Sequence, residues 1–118
     1  IEDNPVPSVL PTTPLPETVI EMTSKRLGAT AVVLEDGTVF GIITDGDLRR
    51  MLQKRLPIHD IIAKDICTIN PKSIEPGALA IDALDILRKL DITHLIVSTN
   101  NQYVGILHLH DLVKEGLL

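Results

Sequence analysis

The stretch Gly41–Arg50, GIITDGDLRR, returns at Gly105–Lys114 as GILHLHDLVK. Laying residues 15–50 over 79–114 without a gap aligns Leu15/Leu79, Lys25/Lys89, Val33/Val97, Gly41/Gly105, Ile42/Ile106, Asp47/Asp111 and Leu48/Leu112. A chain that writes one pattern twice is expected to fold as two similar units, and no bulk property constrains it as much. A half of roughly 50 residues is marginal as an independent domain. The two halves are therefore expected to bury sheet faces against each other, and the junction they create offers clefts for ligands.

Each copy carries the same order of signals. LPETVIEMTSKRLG spaces Leu15, Val19, Ile20, Met22 and Leu27 near helical intervals, with Gly28 as a stop. ALAIDALDILRKLD does so with Leu79, Ala83, Leu84, Ile86, Leu87 and Leu90. Two β-rich runs then flank Asp36-Gly37 in the first copy and Asn100-Asn101 in the second, the Asn pair being the looser turn signal. A second helix follows each hairpin, DLRRMLQK or DLVKEGLL. Short strands are expected before the first helices, around Val9-Leu10 and Thr68-Ile69. The unit reads β-α-β-β-α, twice, with halves 1–56 and 57–118. Between them, RLPIHDIIAKDI is a structured connector in which Pro57 opens a short helix and Ile58, Ile61 and Ile62 tuck under the second unit. The start is stiffened by Pro5, Pro7, Pro11, Pro14 and Pro16.

Composition narrows the function classes. Only one Phe, one Tyr and no Trp occur in 118 residues, so the core is aliphatic and base-stacking surfaces are poorly supplied. The net charge of −5 argues against a general nucleic-acid binder. No apolar run has the ~18 residues of a membrane span, and the first residues lack a signal-peptide pattern, so a cytoplasmic location is expected. The chain begins without Met and reads as a piece of a longer protein. The lone Cys67 has no activating neighbour in sequence and reads as a packed thiol. No Gly-rich phosphate loop, EF-hand loop or nucleophile–base set stands out.

The stretches Gly41-Ile42-Ile43-Thr44-Asp45-Gly46-Asp47-Leu48 and Gly105-Ile106-Leu107-His108-Leu109-His110-Asp111-Leu112 resemble the closing motif of each half of a CBS domain pair, or Bateman module. The resemblance covers nearly the whole chain and implies an α+β fold of two β-α-β-β-α units with pseudo-twofold symmetry. GATAVV, TDGDLRR and HLHDLVKEGLL are similar, more narrowly, to the regulatory tail of arabinose 5-phosphate isomerases. Those enzymes interconvert ribulose 5-phosphate and arabinose 5-phosphate, toward the lipopolysaccharide sugar Kdo. The resemblance implies a regulatory fragment without catalytic residues or cofactor, joined in its parent to a sugar-isomerase domain.

Seven residues are the candidate ligand set: Thr44, Asp47, Arg49, His94, His108, His110 and Asp111. In CBS pairs the matching Asp commonly bonds ribose hydroxyls, which the resemblance carries onto Asp47 and Asp111. The competing reading is a helix cap, since Thr44 and Asp47 have capping-box spacing. His108 departs from the small hydroxyl residue of the motif and, cationic near pH ~6.5, can face an anionic group. Arg49 and Arg50 offer guanidinium forks to phosphate or carboxylate, or are a solvated face. His108 and His110 share a strand face, but no third ligand has diagnostic metal spacing. The expected partner is a small anionic metabolite, a nucleotide or nucleotide sugar such as CMP-Kdo, with an adenine nucleotide as alternative. A ligand-free dimerisation module is the rival class. A homodimer is expected, through Leu48, Leu52, Leu112 and Leu117.

Overall fold

The computed structural model describes residues 6–25, 27–55 and 57–114. Pro5, Leu56 and Leu117, which enter the reading above, lie outside them. The first unit runs β1 (Ser8–Val9), α1 (Leu15–Ser24), β2 (Ala29–Val33), β3 (Val39–Thr44) and α2 (Asp45–Gln53). A short 3-10 turn, Ile58–Asp60, leads through α3 (Ala63–Ile66) to β4 (Thr68–Ile69). The second unit runs β5 (Ser73–Ile74), α4 (Ala80–Leu90), β6 (His94–Thr99), β7 (Gln102–His108) and α5 (Leu109–Lys114). The β-α-β-β-α unit is thus present twice, in a mixed α/β fold of two sheets.

The two copies do not superimpose without a gap. Val33 pairs Val39 and Ser98 pairs Tyr103, so the connection is one residue shorter in the second hairpin. Residues before the turn match at a spacing of 65, and those after it at 64. Gly28 and Thr93 accordingly accept the same bond, from the amides of Asp45 and Leu109. The cause lies in turn chemistry. Asn100 and Asn101 form a two-residue turn with φ of 50° and 63°, which Asn tolerates. The first hairpin needs a three-residue loop that ends on Gly37 at φ 88°. Gly28, at φ 68°, lies four residues beyond the end of α1, so it shapes the connection to β2 rather than stopping the helix.

The link between units also departs from expectation. Thr68–Ile69 does not open the second unit; it pairs antiparallel with Gly41 and Ile42 as fourth strand of the first sheet. The strand equivalent to β1 is Ser73–Ile74, whose Ser73↔Ile96 pairing repeats Ser8↔Ala31. Gly41 is needed where β4 crosses, since a Cβ there would sit 2.7 Å from the Thr68 carbonyl. The connector packs on the first unit: Leu15 N–H donates to the Ile61 carbonyl, Ala63 N–H to Thr13, and Ile61 is buried with Leu15 and Met51.

Adjacent residues on each inner strand face opposite ways. Val32 and Ile43 pack with Met22 and Val9 in the first unit. Leu95 and Leu107 pack with Leu84, Leu87 and Leu112 in the second. Their neighbours Ala31, Ile42, Ile96 and Ile106 join with Ala29 in a core shared by both units. This two-sided burial explains the unbroken apolar runs. Across the pseudo-twofold, Val39 N–H donates to Asn101 and Tyr103 N–H to Gly37. Leu112 is buried in the second core and Leu48 packs on the first, which takes Leu112 out of the expected dimer face and leaves Leu52 exposed.

Candidate functional site

The end of β3 and start of α2 form one wall of a cleft of about 490 Å³, with Ile42, Thr44, Asp47 and Arg50 on it. The opposite wall comes from the link and second unit, including Asn70, Lys72, Asp91, Thr93 and His94. Both short connections on that wall turn through left-handed residues, Asn70 at φ 50° and Asp91 at φ 53°. Asp91 ends α4, and the next amide, Ile92 N–H, returns to the Leu87 carbonyl.

Asp47 is buried, and both of its oxygens accept hydrogen bonds. Its Oδ2 accepts from the Thr44 amide at 2.9 Å and the Thr44 hydroxyl at 3.2 Å. Its Oδ1 accepts from Arg50 Nη2 at 2.6 Å. The carboxylate therefore caps α2, and it also faces the cleft. Its second-unit counterpart, Asp111, accepts from the His108 amide at 2.9 Å.

Where the first unit has Thr44, the second has a cluster of imidazoles. His108 meets His94 edge-on with ring centroids 4.5 Å apart, and His110 meets His108 at 4.8 Å. His94 Nε2 lies 2.8 Å from the Leu27 carbonyl, an acceptor only, so Nε2 carries the proton. Nδ1 then accepts from the Thr93 hydroxyl at 2.9 Å. His108 Nδ1 accepts from the His110 amide at 2.9 Å, which leaves its Nε2 as donor in the neutral form.

Burial pushes the His94 pKa below the usual imidazole value, against its bond to Leu27 and the charges of Asp45 and Asp111. Burial also lowers that of His108, reinforced by His94 and His110 and opposed by Asp111. Burial thus favours the neutral form of His94 and His108, against the cationic form expected for His108. Among the described residues, no group of three or more His, Cys, Asp or Glu side chains is placed to hold a metal ion. Burial raises the Cys67 thiol pKa. Among the described residues no helix is long and apolar enough to cross a membrane.

Of the seven candidates, Thr44, Asp47 and His94 line this cleft together. His108, His110 and Asp111 lie at the pseudo-symmetric corner, which touches the cleft through His94. Arg49 is exposed and does not line the cleft; Arg50 does. Helical geometry holds the signal for this, because Arg50 is three residues from Asp47 and shares its face. Asn70 and Lys72 had no signal of their own, because the crossing of β4 to the first sheet brings them in.

The CBS domain family model matches residues 1–54 and again 63–117. Arabinose 5-phosphate isomerase KdsD of Escherichia coli strain K12 is 33% identical over 113 residues, which cover 96% of this chain and 34% of that protein. The chain thus spans about a third of the length of such relatives. A crystal structure of a CBS domain, NE2398, has a TM-score of 0.87 at 23% identity over 99% of this chain and 91% of that one. A CBS domain protein from Pyrobaculum aerophilum complexed with AMP has a TM-score of 0.84 at 23% identity, covering 92% and 84%. At these identities the structural likeness shows the fold.

Proposed function

The chain belongs to the CBS domain family, and we propose that it is the ligand-sensing regulatory pair of an arabinose 5-phosphate isomerase-like enzyme. CBS domains are regulatory rather than catalytic, so in this reading the isomerisation belongs to a sugar-isomerase domain of the parent chain. In this reading the repeat divides the sequence into halves 1–56 and 57–118, the link through Thr68–Ile69 packing back on the first, and the compartment is the cytoplasm.

One observation carries the reading: the cleft is walled by both units and places two aspartates, Asp47 and Asp91, an arginine and a lysine around one space. Asp47 offers acceptors for a cis-diol; Thr44, Arg50 and Lys72 offer donors for anionic groups. CMP-Kdo carries a ribose diol, a phosphate and a sugar carboxylate in one molecule, and as an activated end product it suits feedback. His108 and His110, beside Asp111, serve its carboxylate end as hydrogen-bond donors. Occupancy acts by favouring one arrangement of the halves, or of two modules in a homodimer, over another.

An adenine nucleotide is the second reading, supported by the AMP complex of the Pyrobaculum aerophilum protein. Calorimetry with CMP-Kdo, CMP, AMP and ATP at pH of about 6 and 8 separates the two. CMP-Kdo is expected to bind tightest. AMP binding more tightly than CMP-Kdo moves the assignment to adenine nucleotides. Absence of binding by all four, with a dimer by light scattering, leaves a ligand-free dimerisation module.

A further inference from the structure

We infer that Arg50 is an internal competitor for Asp47, so that the cleft selects ligands carrying a diol and an anion in the same molecule. This rests on the nucleotide-type reading of the cleft and adds a selection rule to it. Both oxygens of Asp47 are already bonded, Oδ2 to Thr44 within the cap and Oδ1 to Arg50 at 2.6 Å. The Thr44 arm is part of the backbone turn into α2 and cannot be given up without loosening the helix start. The Arg50 arm ends in a side chain that is 60% exposed, while Asp47 is 9% exposed. Three of the roughly four acceptor sites of the carboxylate are taken, so a ribose diol that makes two bonds to Asp47 displaces the guanidinium rather than the cap.

Displacement has a cost that depends on the ligand. A neutral nucleoside takes the carboxylate oxygen and leaves Arg50 with water alone. A nucleotide offers its phosphate to the released guanidinium, a bidentate partner in place of the one lost. Lys72 stands on the facing wall and pairs with no carboxylate among the described ion pairs. Arg50 and Lys72 thus approach a bound anion from two sides. Inorganic phosphate alone cannot release Arg50, because nothing then replaces it at Asp47. The ion pair acts as a two-key lock in which each half of the ligand substitutes for one partner.

The test is calorimetry of the protein and its Arg50→Ala, Arg50→Lys and Lys72→Ala forms with CMP, AMP, cytidine, adenosine and inorganic phosphate. Arg50→Ala is expected to weaken nucleotide binding about tenfold or more, the scale of one charge-assisted hydrogen bond. It is expected to strengthen nucleoside binding, because Oδ1 is then free. Lys72→Ala should weaken nucleotides and leave nucleosides unchanged. Arg50→Lys keeps the charge and should retain part of the preference for nucleotides, which shows that a folded cleft is being read. Equal weakening of nucleosides and nucleotides by Arg50→Ala overturns the exchange while leaving the cleft as a nucleotide site. Absence of binding by every probe to every form overturns both.

Discussion

Tyr103→Phe tests the tie between the halves. Tyr103, on β7, donates its hydroxyl to the Pro7 carbonyl at 2.6 Å, across 96 residues of chain. Pro7 also accepts from the Ala31 amide at 3.2 Å, so the substitution orphans no buried acceptor. The ring stays against the shared core beside Ile96 and Ile106. The expected loss near neutral pH is therefore that of one net hydrogen bond, about 1 kcal/mol. Burial, helped by the charge of Glu21, raises the Tyr103 pKa above its ordinary value. The unfolded chain gives up this proton near pH ~10 while the folded chain keeps it, so the contribution is intact below ~10 and is lost above it at up to about 1.4 kcal/mol per pH unit. The variant has no such term. Urea midpoints of the two proteins should converge within about one pH unit above ~10 and then cross. Tyr103 is the single tyrosine and the chain has no tryptophan, so tyrosinate absorbance reports this one group. It should rise together with unfolding. Tyrosinate forming near pH ~10 in a protein with native circular dichroism, or wild-type and variant profiles that stay parallel, would refute the buried tie.

Gly41→Ala should cost about 1–3 kcal/mol in urea unfolding, because the new Cβ meets the Thr68 carbonyl and Cys67 Sγ at 2.7 and 2.9 Å and must push β4 away; an unchanged midpoint would mean that β4 yields freely. Acid should weaken the fold above the carboxylate range. His94 and His108 are held below the ordinary imidazole pKa, so from about pH 6.5 downward the unfolded chain binds protons that the folded chain refuses. Stability should fall as the pH drops through about 6.5 and level off below the folded pKa values, the fall shrinking in His94→Gln; a flat profile would contradict the burial of these rings. Leu87→Ala, at a position 2% exposed in the second core, should cost about 2–5 kcal/mol by thermal or urea melts. A loss near zero would show that this core does not hold the unit together.

The repeat made the β-α-β-β-α unit legible because turn, apolar run and helix start must recur together for either half to bury its strands. Helix faces were legible only in part: Met22 and Leu87 are buried as their spacing suggests, but Ile20 and Leu79 are 64% and 66% exposed, while Thr18 is fully buried. Periodicity ranks residues by polarity, and a threonine that bonds back to the Pro14 carbonyl hides its hydroxyl and enters the core. The gap-free alignment failed by one residue because a hairpin's length is decided by the φ angles of its turn residues. Identity gave no warning, and a side-chain alternation that slips by one exchanges the two faces of a strand.

The same distinction explains the site. Thr44 and His94 were legible since each sits at the end of a strand, where the apolar pattern stops, and Asp47 because it stands in the first turn of the helix that follows, three residues after Thr44. Asn70 and Lys72 were not, because their place depends on β4 leaving the second unit for the first, a long-range pairing with no local signature. Arg50 falls between these cases. Residue type alone does not separate it from its neighbour Arg49. A helix brings side chains three or four positions apart onto one face, so the residue that answers Asp47 is Arg50, and the 2.6 Å contact is the consequence of that spacing. Removing Arg50 by Arg50→Ala, with the native Arg49 retained one position away, should therefore abolish the ion pair although the charge at Arg49 survives. If ligand selectivity were set by net charge near the cleft, Arg49 would compensate; if it is set by the helical face, it cannot.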